Sequence, residues 1–120
     1  MADDWPDHYV LIGHTPVAVD LMTWARWLQN TTDARRVAID DFTGGRVSTV
    51  FLGLDHSLGN GPPILFETLI FGGPLDGEQW RYCTWKEAET GHQHALALAR
   101  KAADRIADIA SAAGATVQTK

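Results

Sequence analysis

Cysteine is almost missing from this chain of 120 residues: Cys83 stands alone. No intramolecular disulfide framework is possible, and the usage fits a reducing compartment. Long apolar runs are missing as well. None approaches the ~18 residues a helix needs to cross a bilayer, so neither a membrane span nor a membrane partner is expected. Basic residues are scarce, with ten Lys and Arg against fifteen Asp and Glu, for a net charge of −5. That balance repels a phosphate backbone, and the basic pair Arg35-Arg36 sits among Asp33, Asp40 and Asp41, so nucleic acid is not an expected partner. The stretch Met1-Ala-Asp-Asp-Trp-Pro-Asp7 is acidic and lacks the apolar centre of a secretory signal, which points to the cytoplasm. Internal repeats, low-complexity stretches and linkers are absent, and the length suits one domain over 1–120.

What is present reads as an α+β chain: a mostly antiparallel sheet, one long C-terminal helix packed on it and one short helix at its edge. Residues 1–7 form an exposed arm in this reading, and 115–120 a frayed tail. Tyr9–Ile12 is a brief apolar strand, turned at Gly13-His14 into a returning strand, Thr15–Val19, which Pro16 restricts to a sheet edge. Asp20 is a good N-cap for a helix over Leu21–Gln29, where Leu21, Trp24, Ala25 and Leu28 share one face. Arg36–Phe42 and Val47–Asp55 read as strands joined at Thr43-Gly44-Gly45, followed by an irregular loop over His56–Pro63. Ile64–Phe71 reads as the most buried strand, apolar on both faces but for Glu67 and Thr68, and Gln79–Thr84 returns beside it. Thr84-Trp-Lys-Glu87 is a capping box. From it a helix is expected to run to Ala113 and stop at Gly114, its stripe being Ala88, His92, Ala95, Ala99, Ala102, Ile106 and Ala110.

Five histidines raise the question of a metal. His92 and His94 lie ~200° apart on a helix and cannot share an ion, and no tight local ligand pair exists, so no metal and no other cofactor is expected. His92 reads instead as a core histidine with both ring nitrogens hydrogen-bonded. Glu67 shares a strand face with Leu65, Leu69 and Phe71, where an ionised carboxylate costs several kcal/mol unless it is paired. It must meet Arg81 or His92, meet a ligand or metal, or stay protonated. Asp55, His56, Glu67 and His92 are therefore the candidate pocket residues, either a site or a satisfied polar core. Trp27 lies off its helix's apolar stripe and Trp80 looks hard to bury, which marks both as candidates for a partner or self-association surface. Neither a nucleophile elbow nor a phosphate loop is present. Cys83, though close to a helix start that can lower a thiol pKa, reads as a small buried hydrophobe.

The blocks Gly13-His-Thr-Pro-Val17, Asp20-Leu-Met-Thr-Trp-Ala-Arg-Trp27, Arg46-Val-Ser-Thr-Val-Phe-Leu-Gly-Leu-Asp-His56, Gly61-Pro-Pro-Ile-Leu-Phe-Glu-Thr-Leu-Ile-Phe-Gly-Gly73 and Arg81-Tyr-Cys-Thr-Trp-Lys-Glu-Ala-Glu-Thr-Gly-His92 cover most of the span from Tyr9 to Ala99. Together they resemble a family of small uncharacterised bacteriophage and prophage proteins, many from high-GC hosts. The resemblance implies a phage accessory product acting in the host cytoplasm. It carries no catalytic residues to transfer, and Cys83 stands where relatives usually have a small hydroxyl residue. The leading expectation is a non-catalytic, homo-oligomeric binder of a host protein or small molecule. Its rivals are a small hydrolase or nucleotide-modifying enzyme using His56, Glu67 and His92, and a minor virion component.

Overall fold

The computed structural model describes residues 7–59 and 61–114. The expected arm (apart from Asp7) and the expected tail lie outside the described residues. The elements run β1 (Tyr9–Ile12), β2 (Thr15–Ala18), α1 (Leu21–Gln29), β3 (Arg36–Phe42), β4 (Gly45–Phe51), β5 (Phe66–Gly72), β6 (Gln79–Tyr82) and α2 (Trp85–Ala112). The α+β class holds, but the strands divide. β1 and β2 form a sheet of their own, while the other four make an antiparallel sheet in the order β3-β4-β5-β6.

The small hairpin turns at Gly13, whose φ of 63° suits glycine. Tyr9, Val10 and Leu11 are all buried. Tyr9 N–H donates to Gly53 O at 2.9 Å, and His8 bridges to Leu54, so β1 abuts the chain leaving β4. That explains why β4 ends at Phe51 instead of running to Asp55. The hairpin's turn is held from outside too: the His14 ring stacks on Trp85 with centroids 3.7 Å apart.

α1 starts where Asp20 Oδ1 accepts from Thr23 N–H at 2.8 Å, a bond that satisfies one orphan amide of the first turn. None of its residues is fully buried. Trp27 nevertheless presents its ring edge-on to Phe51 at 5.8 Å and packs against the core. Trp27, marked from the sequence as a candidate for a partner or self-association surface, is thus half-buried, its indole lying one position aside from the apolar stripe of a nine-residue helix.

The four-stranded sheet has one covered face and one open face, and its register assigns each residue. Phe51 pairs with Phe66, Thr49 with Thr68 and Val47 with Ile70, and these alternate residues meet α2. Phe51 and Phe66 are almost wholly buried, each contributing about 2–3 kcal/mol of transfer free energy. α2 begins with both bonds of its capping box: Thr84 Oγ1 accepts from Glu87 N–H at 3.1 Å, and Glu87 Oε1 accepts from Thr84 N–H at 3.1 Å. Its buried residues are Ala88, His92, Ala95, Leu96 and Ala99, mostly small, so the helix lies close on the sheet. Gly91 is needed for the same reason, because a Cβ there would sit 2.2 Å from the Tyr82 ring. The expected stripe outruns its partner. Burial stops at Ala99 and Ile106 is 49 % exposed, so the second half of α2 carries no fully buried side chain among the described residues. No helix among the described residues is long and apolar enough to cross a membrane.

Candidate functional site

Five polar side chains join in one hydrogen-bonded chain between the sheet and α2. His92 Nε2 lies 2.8 Å from Asp40 Oδ2 and its Nδ1 lies 2.6 Å from Thr49 Oγ1. Thr49 Oγ1 is 2.6 Å from Thr68 Oγ1, which accepts from the Tyr82 hydroxyl at 3.1 Å. The direction follows from what each group can do. An ionised Asp40 only accepts, so Nε2 carries a hydrogen; with the ring neutral, Nδ1 then accepts from Thr49. Thr49 in turn accepts from Thr68, and Thr68 from Tyr82. Every link is satisfied once, and the expectation of a core histidine bonded at both nitrogens holds.

The order carboxylate–imidazole–hydroxyl is that of a nucleophilic triad. Burial removes the chemistry. His92, Thr49 and Thr68 have 0 % exposure, so no electrophile reaches the Thr49 oxygen. Only the two ends approach solvent, Asp40 through a side chain 42 % exposed and Tyr82 beside a surface groove. Burial pushes the Tyr82 phenol up from its ordinary pKa, against the opposing pull of its bond to Thr68, so it stays protonated and donates.

The residues singled out from the sequence do not meet as one pocket. Glu67 alternates with the buried Phe66 and Thr68 and so projects from the open face, while His92 lies under the helix on the other. Glu67 is paired there with Arg81, Oε2 to Nε at 3.0 Å, which answers the charge that the sequence left open. Asp55 and His56 stand apart at the start of the loop. Asp55 accepts from Ser57 N–H at 2.8 Å, Ser57 Oγ at 2.9 Å and Ile64 N–H at 2.9 Å. It clasps the loop's two ends together. His56 N–H donates to Ile64 O at 2.9 Å, closing the same loop. Trp80 lies edge-on to His94 and packs against the Val47–Ile70 cluster, so its burial, too, was underestimated. Among the described residues no group of three or more His, Cys, Asp or Glu could hold a metal.

Burial alone would raise the Asp55 pKa, but its donors from Ser57 and Ile64, with His56 nearby, outweigh that and hold it below the ordinary carboxylate range. A depressed folded pKa contributes stability that is present above the unfolded value of about 3.9 and is lost as pH falls through the folded one. Asp55→Ala is expected to cost about 1–2 kcal/mol near neutral pH for the three lost bonds, and to flatten the acid limb below about pH 4. Urea midpoints measured from pH 7 to pH 2.5 check both; a variant as acid-sensitive as the parent would contradict the clasp. Cys83 offers no reactive thiolate. Burial first, then the negative charges of Glu87 and Asp55, push its pKa up, overriding the helix start.

Two surfaces remain uncommitted. One is the open sheet face, where Ile39, Ser48 and Leu69 line up across the strands and Phe71 lies beside Arg46. The other is a groove of about 630 Å³ between β6 and the first half of α2, lined by Tyr82, Cys83, Lys86, Thr90, Gly91 and His94 among others. Lys86, Thr90 and His94 recur every four residues along one side of the helix, a spacing legible in the sequence although only the histidines drew notice there. Compared with family models, curated proteins and solved structures, the chain matches none.

Proposed function

We propose that this chain is a non-catalytic binding protein, a phage or prophage accessory product of the host cytoplasm, that works as a homo-oligomer joined through the open face of its sheet. The observation that carries the reading is the makeup of that face. An antiparallel sheet with one side in water ordinarily turns polar residues outward. This one turns out Ile39, Val50, Leu69 and Phe71, with Ile39 and Phe71 39 % and 49 % exposed. The charges on the same face are already matched within the chain, Arg46 with Asp41 at 2.6 Å and Arg81 with Glu67 at 3.0 Å. A chain of net charge −5 repels its copies, and a locally neutral apolar face is where that repulsion is least. Within the Asp40–His92–Thr49 array the imidazole and the hydroxyl are both fully buried, which argues against the enzyme reading.

Three strands of seven residues and one of four, ~4.8 Å apart, make a face of roughly 400 Å². Doubled across a two-fold interface, that is roughly 800 Å², below the roughly 1,200 Å² at which stable specific interfaces begin, so a weak, reversible dimer is expected. Sedimentation equilibrium between micromolar and millimolar protein should show it, and Phe71→Lys should leave a folded monomer. A parent protein that stays monomeric throughout, or a variant that dimerises equally well, would sink the reading.

A further inference from the structure

β6 is an edge strand, and its outward hydrogen-bonding groups can be read from its pairing. Ile70 N–H donates to Glu78 O at 3.0 Å and Leu65 N–H to Tyr82 O at 3.0 Å, so the even-numbered positions of this segment face β5. In an antiparallel ladder alternate residues point the opposite way, which turns the N–H and C=O of Gln79 and Arg81 outward. No turn, loop or cap bond among the described residues reaches them. The outer edge at β3 differs: it carries a register irregularity at Arg36/Ala38 and the acids Asp40 and Asp41, devices that discourage pairing.

Alongside the β6 edge lies the groove, and its charge runs against that of the molecule. Lys86 and His94 stand on its helical wall with Thr90 between them. Its acid, Glu87, is already engaged, with Oε1 accepting from Cys83 N–H at 3.0 Å and Thr84 N–H at 3.1 Å. The wall also runs along the strand, since Trp80 meets His94 and Tyr82 meets Gly91. Four helical residues rise ~6 Å and two extended residues ~6.7 Å, so Lys86, Thr90 and His94 fall in step with alternate residues of a strand laid beside β6.

We infer that the β6 edge and its groove bind an extended acidic segment of a partner polypeptide by strand addition, with backbone bonds to Gln79 and Arg81 and carboxylates toward Lys86 and His94. Main-chain pairing supplies affinity and the alternate side chains supply choice. The site is separate from the open sheet face and does not rest on the dimer.

The test is fluorescence anisotropy of a labelled, end-blocked peptide, Glu-Val-Ser-Val-Glu-Val, titrated with the full chain at low and high salt. The expected result is saturable binding that weakens with salt, falls at least tenfold in the Lys86→Glu, His94→Glu double variant, and is lost when alternate peptide amides are N-methylated. Gln79→Pro, which deletes an outward N–H and spares the bonds to β5, should weaken binding as well. Equal binding of a peptide with Lys in place of Glu would overturn the assignment, as would indifference to N-methylation or an unaffected double variant. Self-association that survives Phe71→Lys but is abolished by Gln79→Pro would give the edge to a second copy and overturn it too.

Discussion

His92→Leu is expected to cost about 2–4 kcal/mol of unfolding free energy, although leucine nearly matches histidine in volume. The loss comes from polar groups and not from packing. Thr49 loses its acceptor at a position with 0 % exposure, where water cannot replace it. A sealed, unsatisfied hydroxyl costs about 1–3 kcal/mol, and Asp40 forfeits a charge-assisted bond as well. Asp40→Asn should cost less, about 1 kcal/mol, because an amide oxygen still accepts from Nε2 and the site is partly open to water. Thr49→Val paired with His92→Leu should show coupling of about 1 kcal/mol or more, since one change removes the need created by the other. Urea denaturation followed by tryptophan fluorescence measures all of these. A His92→Leu variant within ~0.5 kcal/mol of the parent would mean that the chain of five side chains stabilises nothing.

Gly45→Ala should be similarly damaging, at about 2–4 kcal/mol, whereas Gly44→Ala one position earlier should cost only about 1–2 kcal/mol. The two glycines fail for different reasons. Gly44 has a φ of 91°, which penalises any side chain, but its Cβ would meet nothing within 4 Å. Gly45 is free of that backbone strain and is limited by space: its Cβ would lie 2.3 Å from Phe71 O and 2.5 Å from Phe42 Cζ. The carbonyl belongs to the neighbouring strand and cannot swing aside as a side chain can. Alanine must therefore pry β4 from β5 where Gly45 faces Gly72, loosening the end of the sheet. Thermal unfolding of the two variants side by side separates the causes. Equal losses, or a larger one for Gly44→Ala, would show that the close approach at Gly45 relaxes cheaply.

Both expectations depend on facts that could be read only in part along the chain. The turn Thr43-Gly44-Gly45 was visible, but nothing in it distinguished the glycine that bends the backbone from the one that admits a neighbouring strand. His92 was legible as a bonded core histidine because it fell on the apolar stripe of a well-capped helix. Its partners were not. Asp40 is 52 residues away in sequence and Thr49 is 43, and both read simply as polar positions in strands. Glu67 was legible as a charge in need of an answer, with Arg81 among the candidates. Which face it occupied was not, since Ile64–Phe71 is apolar on both sides and alternation alone cannot say which side meets a helix.

What the sequence determined by itself was local. The caps at Asp20 and Thr84, the nine-residue span of α1, the extent of β3 and the stop at Gly114 all follow from groups within a few residues of one another. The tertiary structure decided everything that depends on which surfaces meet. It set the hairpin apart from the main sheet, laid α2 over Phe66, Thr68 and Ile70, and left Leu69 and Phe71 uncovered. It also buried the imidazole and hydroxyl of a triad-like array and left a groove beside the outer edge of β6. Local bonding is written in neighbouring residues, whereas burial is a property of the whole packed chain, and on burial turns whether His92 and Glu67 are sites or structure.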